Sequence, residues 1–189
     1  MTCKQAPELQ VGKWMNTPEP ITLEQLRGKV VLIEAFQMLC PGCVSHGLPQ
    51  AMRVAANFRR EDVVVLGLHT VFEHHEAQGS RAALEAFLHE YRIPFPVAID
   101  RQSEGGRLPL TMQAFQMQGT PSQILIDREG RIRKNKFGQE DDMRLGAEIM
   151  ALLDQASPVR RNATGISGAQ KAGNCTEQAC SVGEDLANQ

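Results

Sequence analysis

Two thiols, Cys40 and Cys43, are the residues of this chain best equipped for chemistry. A Cys-x-x-Cys pair either cycles between dithiol and disulfide or supplies half of a zinc site. Zinc needs four ligands, and the other close pair, Cys175 and Cys180, lies far along the chain in a segment poor in large apolar residues. The spacing therefore favours redox chemistry, with a Cys40–Cys43 disulfide as the reacting group and no bound cofactor or metal. Attachment of a c-type haem is excluded, because Val44 stands where a histidine would be required.

Further side chains with chemical potential surround the pair. Glu34 interrupts an apolar run, where desolvation should raise its pKa. A raised-pKa acid is suited to take the proton of a resolving thiol. His46 follows Cys43 by three residues, so the two can share a helix face, with His46 either tuning a thiol or solvated. His69, Glu73, His74, His75 and Glu76 cluster after a second apolar run and read as a solvated loop, since no metal-ligand spacing there is diagnostic. Cys3 reads as an incidental thiol near the chain end, and Met38 as core filler.

The elements that must position these groups can be read from periodicity. Val30 to Phe36 (VVLIEAF) is a buried central strand. After Gln37-Met38-Leu39 comes Cys40-Pro41-Gly42-Cys43, and then Val44, Leu48, Met52, Ala55 and Ala56 recur at helical spacing through Arg60. The dithiol thus sits where a strand ends and a helix begins. Unpaired N–H groups and a partial positive charge there stabilise a thiolate. Cys40 at the tip is the expected attacking thiol, Cys43 one turn inward the resolving one, and Pro41 suits the first helical turn.

The rest of the chain supplies a scaffold. Met1 to Pro20 reads as extended and turn-rich, with a small hairpin at Gly12 and Trp14 covering one side of the core. Thr22 to Gln25 forms a capping box on one short turn, stopped by Gly28. Val63 to His69 is a second buried strand, and Ser80 to Tyr91 a helix with Ala83, Leu84, Phe87, Leu88 and Tyr91 inward. Val97 to Asp100 is a short strand and Leu110 to Met117 a short helix. Gln123 to Asp127 and Arg131 to Phe137 form a hairpin. Asp141 to Leu153 is the last helix, with Met143, Ala147, Met150 and Leu153 inward.

The strand, the CPGC and the helix together resemble the active site of the thioredoxin superfamily, most closely its TlpA-like thiol–disulfide oxidoreductases and the redoxin branch. Glu34 stands six residues before Cys40, where such proteins carry a buried acid or amide. Leu26-Arg27-Gly28-Lys29-Val30-Val31 resembles the branch's lead-in, and Gly119-Thr120-Pro121-Ser122 its cis-proline loop. The resemblance covers about Ala6 to Leu153. It implies an α/β fold: a thioredoxin-like three-layer sandwich with a mixed sheet of about five strands and helices on both faces. It also implies a cis Thr120–Pro121 bond lying against the dithiol, with Thr120 and Pro121 offering backbone to a substrate. The sequence departs from the pattern at three points. Leu39 replaces the family's Trp, the dipeptide between the cysteines is Pro-Gly, and Pro49 falls one residue later than the usual helix proline.

These features lead to a thiol–disulfide oxidoreductase acting on a protein or small-molecule disulfide, with an external reductant. Two alternatives stand beside it. A redoxin-type thiol peroxidase with antioxidant activity usually carries Pro-x-x-x-Thr/Ser-x-x-Cys, but Ile33 and Gln37 occupy those places. A soft-metal binding protein would use Cys40, Cys43 and His46 with Met38 or the tail cysteines. The net charge of −2 gives no reason to expect nucleic acid or a membrane surface as partner. The opening MTCKQAPELQ lacks the apolar stretch of a signal peptide, which leads to the expectation of a cytoplasmic protein.

The expected organisation is a thioredoxin-like domain over residues 1–156 and a flexible tail over 157–189. The tail's Cys175 and Cys180 are a candidate electron shuttle. About 17 residues of flexible chain from Pro158 span roughly 23 Å, enough to reach over a domain of this size.

Overall fold

The most apolar stretch becomes the centre of the molecule. In the computed structural model, which describes residues 4–106 and 108–155, all seven residues of strand β2 (Val30–Phe36) are buried. Cys3, the proposed tail over 157–189, Cys175 and Cys180 lie outside the described residues. Strand β2 pairs in parallel with β3 (Val63–His69) and antiparallel with β5 (Ser122–Ile126). The sheet continues through β4 (Val97–Asp100), parallel to β3, and β6 (Ile132–Phe137), antiparallel to β5. A further strand, β1 (Val11–Met15), closes the far edge against β4 in antiparallel register, giving the order β1-β4-β3-β2-β5-β6.

The sheet therefore has six strands rather than about five. The addition is the segment that reads locally as a hairpin around Gly12. Its partner lies more than eighty residues away, Trp14 opposite Ala98 and Met15 opposite Val97, and Gly12 falls at an irregularity in the register. Pairing of that kind leaves no local signal beyond a weak alternation.

Helices cover both faces, which is why the central strands can be apolar throughout. Val30, Leu32 and Phe36 pack beneath α1 (Leu48–Asn57), α3 (Arg81–Glu90) and α5 (Asp142–Asp154). Val31, Ile33 and Ala35 point the other way, against α4 (Leu110–Ala114), Phe115 and the N-terminal segment with Leu9 and Trp14. The period of two places Glu34 on the α1 and α5 side. Two side-chain caps start helices. Ser80 Oγ accepts from the Ala83 N–H and starts α3, and Asp141 accepts from the Arg144 N–H and starts α5. The Thr22–Gln25 capping box forms both of its hydrogen bonds but holds a turn, not a helix. Among the described residues, no helix is long and apolar enough to cross a membrane.

Three helix faces differ from the periodicity reading. On α5 the buried residues are Leu145, Ile149 and Leu152, while Met143 is 85% and Met150 47% exposed. The two sets have the same spacing and lie two positions apart, and the Leu/Ile set prevails because branched aliphatic side chains fill the core better than Met and Ala. On α3 the ring of Tyr91 is half exposed and covers the core only indirectly, stacked on Phe87 at 4.4 Å. On α1 the inward residues are Leu48, Ala51 and Val54, with Met52 and Ala55 half-buried and Ala56 exposed. The cause is a widened turn at the start of that helix.

Candidate active site

Strand β2 ends at Phe36, and after three intervening residues the chain turns into a helix at Cys40. The Cys40 carbonyl accepts from the N–H groups of Cys43 and Val44, each at 3.1 Å, so Cys40 caps the helix and Pro41 occupies its first turn. From Cys43 to Gly47 the helix is a π-helical turn, in which the Leu48 N–H reaches back five residues to the Cys43 carbonyl. Pro49 accounts for the widening. It has no N–H to offer Ser45, and a π turn takes up one extra residue without breaking the helix. The displaced proline and the rotated face of α1 are thus one effect. Ser45 Oγ donates to the Pro41 carbonyl at 2.7 Å and ties the turn together.

The π turn brings Gly47 against two other elements. A Cβ there would overlap Glu34 Oε1 and lie 3.0 Å from Pro121 Cβ. Gly42 is nearly as close, with a Cβ position 3.2 Å from Pro121 Cδ. Helix, β2 and the 119–121 loop therefore meet at positions where only hydrogen fits.

Both cysteines are free thiols in different settings. Cys43 is fully buried, whereas Cys40 is half-buried and opens onto a groove of about 490 Å³. Cys40 Sγ accepts from the Cys43 N–H at 3.4 Å and lies 3.5 Å from the Thr120 carbonyl, to which its S–H donates. The Thr120–Pro121 peptide bond is cis. Burial, reinforced by the neighbouring Cys40, pushes the Cys43 thiol well above its ordinary range, so it stays protonated until a base acts on it.

Glu34 is a candidate for that base. It is fully buried, and neither carboxylate oxygen has a hydrogen-bond partner among the described residues. Burial pushes its pKa up to about 8, with the Gln123 amide offsetting part of the effect. Glu34 does not line the Cys40 groove. It lines a separate cleft of about 240 Å³ with His46, Gly47, Gln50, Gln123 and Asp142. Gln123 Nε2 donates to Gln50 Oε1, and Gln50 in turn reaches Asp142, which leaves Gln123 Oε1 unpartnered beside the same cleft. His46 is exposed, with Nδ1 2.7 Å from Ser45 Oγ. The structure thus gathers Cys40, Cys43, Thr120 and Pro121 at the helix tip, and places Glu34 and His46 along a separate cleft that Gly47 also lines.

Two residues that carry no sequence signal build the rim of the groove. Gln37 Oε1 accepts from the backbone N–H groups of Phe72 and Glu73 and from Gln78 Nε2. Gln78 Oε1 accepts from the Leu39 N–H at 3.1 Å. Gln78 comes from a short helix, α2 (His75–Gln78), inside the stretch that reads as a solvated loop. Its neighbours Glu73 to Ala77 are exposed, but Gln78 itself is buried. A glutamine in a polar loop looks the same whether it is solvated or turned inward. Gln78→Ala is expected to cost about 1–3 kcal/mol, because the Leu39 N–H loses its partner, and denaturant unfolding measures it.

His69, from the same cluster, is buried against Phe36 at 5.3 Å between ring centroids, and burial pushes its pKa down to about 4. It is a neutral core histidine. No group of three or more ligating side chains suited to a metal occurs among the described residues.

A mixed six-stranded sheet between helices, with a Cys-x-x-Cys at the end of a central strand and a cis-proline loop against it, defines the thioredoxin-like class. The chain belongs to the AhpC/TSA family, which it matches over residues 3–135. It is 56% identical to a thioredoxin-like superfamily protein of known crystal structure, covering 82% of this chain and 99% of that one with a TM-score of 0.79. It is 50% identical to a thiol-disulfide isomerase from Corynebacterium glutamicum, covering 80% and 98% of the two chains with a TM-score of 0.76. Among curated proteins it is 30% identical over 161 residues to Protein DipZ of Mycobacterium bovis. That match takes in 83% of this chain but 22% of DipZ, so the chain spans about a fifth of that relative's length.

Proposed function

We propose that this protein is a thiol–disulfide oxidoreductase that exchanges electrons with a disulfide through Cys40 and Cys43. The observation that carries the reading is the unequal exposure of two free thiols one helical turn apart, Cys40 facing a groove and Cys43 buried behind it. Cys40 as thiolate attacks one sulfur of the substrate disulfide; that S–S bond breaks, and the first substrate thiolate leaves and takes a proton from water. Glu34 accepts the proton of Cys43, and the Cys43 thiolate attacks the Cys40 sulfur of the mixed disulfide. A Cys40–Cys43 disulfide forms, the second substrate sulfur leaves as a thiolate that takes a proton from water, and Glu34 gives up the Cys43 proton to solvent. Two electrons pass to the substrate, and an external dithiol restores the pair. A bound organic cofactor has no part in this scheme.

Trapping tests the order of events. Cys43→Ser protein mixed with a peptide disulfide is expected to accumulate a mixed disulfide at Cys40, visible by non-reducing mass spectrometry, whereas Cys40→Ser protein is expected to give none. Equal trapping by both variants would remove Cys40 as the nucleophile.

Membership of the AhpC/TSA family supports a second reading, reduction of a hydroperoxide by Cys40. The position three residues before Cys40, where a peroxidase of this kind carries a hydroxyl, holds Gln37, and its side-chain oxygen is committed to Phe72, Glu73 and Gln78. Turnover with a disulfide and with hydrogen peroxide, measured with one reductant, separates the readings. The exchange reading expects the disulfide to be reduced at least tenfold faster.

A further inference from the structure

The groove in front of Cys40 has a composition that bears on which disulfides it accepts. Leu39 and Phe137 are large apolar side chains lining it, exposed by 56% and 51%. Both stand next to the reacting sulfur. Leu39 precedes Cys40 in the chain. Phe137 packs on Gly119, where a Cβ would come within 2.8 Å of its ring, one residue before the Thr120 carbonyl that touches Cys40 Sγ. Across from them, the segment after β3 contributes Phe72, Glu73 and His74. The Glu73 backbone is pinned by Gln37, and the carboxylate is solvent-exposed. Counting histidine as neutral, Glu73 is the groove's one formal charge among the described residues, since neither Lys nor Arg lines it.

These properties favour some disulfides over others. A small anionic disulfide of the glutathione type brings carboxylates that the groove meets with another carboxylate and no cation, an arrangement that opposes binding. An extended peptide with a large apolar residue beside its cysteine covers Leu39 and Phe137 and removes their surface from water. A lysine or arginine near that residue meets Glu73. Charge and apolar surface therefore point to the same occupant.

We propose that the groove selects peptidyl disulfides whose cysteine is flanked by a large apolar residue and a basic residue, with Phe137 and Leu39 reading the first and Glu73 the second. The proposal rests on the exchange chemistry of the preceding subsection and adds its substrate class. The reaction is the one given there: two electrons leave Cys40 and Cys43, the peptide S–S bond breaks, and its two sulfurs leave as thiolates that take protons from water.

Single-turnover oxidation of the reduced full-length protein tests this, with cysteine state read by alkylation and mass spectrometry at low salt and pH 8. Three matched eight-residue peptides are used as disulfide-linked homodimers, with Phe and Lys, Phe and Glu, or Ala and Lys beside the cysteine. Oxidised glutathione is the fourth oxidant. Each rate constant is divided by that of dithiothreitol with the same disulfide, which removes intrinsic reactivity. The Phe/Lys peptide is expected to react about tenfold faster than either of the other two peptides, with glutathione slowest. Glu73→Lys is expected to reverse the order of the Phe/Lys and Phe/Glu peptides. Phe137→Ala is expected to erase the advantage of Phe over Ala while leaving the charge preference in place. Equal normalised rates for the three peptides, or an order that survives Glu73→Lys, would overturn the proposal. A protein that oxidises with none of the four, nor with oxidised dithiothreitol, would overturn the exchange reading itself and this proposal with it.

Discussion

Glu34→Gln is expected to make the protein more stable and slower at the same time. Its carboxyl titrates near 8 in the fold against an ordinary value of 4.5. Between those values the native state holds a proton that the unfolded chain has already lost, so stability falls as pH rises through that window. Each unit is worth about 1.4 kcal/mol, so at pH 7 the native protein forgoes up to about 3 kcal/mol by carrying this group. A glutamine titrates nowhere in the window, and its N–H groups can donate to the orphaned Gln123 Oε1. The variant should therefore unfold at higher denaturant concentration at pH 7, with the gain shrinking to nothing below pH 4.5. The kinetic effect runs the other way. Without a base for the buried Cys43 thiol, resolution of the mixed disulfide should slow by about a hundredfold at pH 9, where the Glu34 carboxylate is ionised, while the first attack by Cys40 changes little. Denaturant melts at several pH values and stopped-flow release of the second thiol measure the two effects. An unchanged release rate would take Glu34 out of the mechanism, and an unchanged pH dependence of stability would show its carboxyl to be better solvated than its burial implies.

Gly47→Ala is the second substitution with a large expected effect. The added methyl would overlap Glu34 Oε1 and press on Pro121 Cβ, neither of which is the free end of a flexible exposed chain. Overpacking of this sort costs about 1–3 kcal/mol. The strain falls on the contact between the helix and the loop bearing the Thr120 carbonyl, so turnover should drop at least tenfold with no change in the cysteines themselves. Combining Gly47→Ala with Glu34→Ala should restore much of the stability, because the second change removes the atoms the methyl strikes. Resolution should remain slow in the double variant, which has room but no base. Additive losses of stability would place the clash elsewhere than at Glu34.

How far the sequence reveals this site depends on the range of the interactions involved. Strand β2, the helix after Cys40, the helix from Ser80 and the desolvation of Glu34 all follow from local pattern, and the fold accords with them. The pairing of β1 with β4 depends on residues more than eighty positions apart, so Val11–Met15 reads as a turn-rich lead-in. The buried face of α5 was ambiguous because two apolar sets share one spacing, and only packing chooses Leu145, Ile149 and Leu152. Gln78 was invisible because a polar residue in a polar loop has no periodicity to betray that it turns inward to Leu39. Pro49 was legible as a departure, but its consequence, a π turn that rotates α1 and brings Gly47 against Glu34, needs three dimensions.

The separation of the groove from the cleft has a consequence for how the protein works under load. Gly47 lies against both Glu34 and Pro121, and Cys40 lines the groove while Glu34 lines the cleft. A bulky partner docked over Cys40 closes the front entrance and leaves the rear one wet, since a space of about 240 Å³ admits several water molecules. Proton traffic and cargo then use different doors, and a proton released during resolution need not wait for the partner to depart. Resolution should accordingly show one pH profile for a folded protein disulfide and for a short peptide, even where their docking rates differ widely.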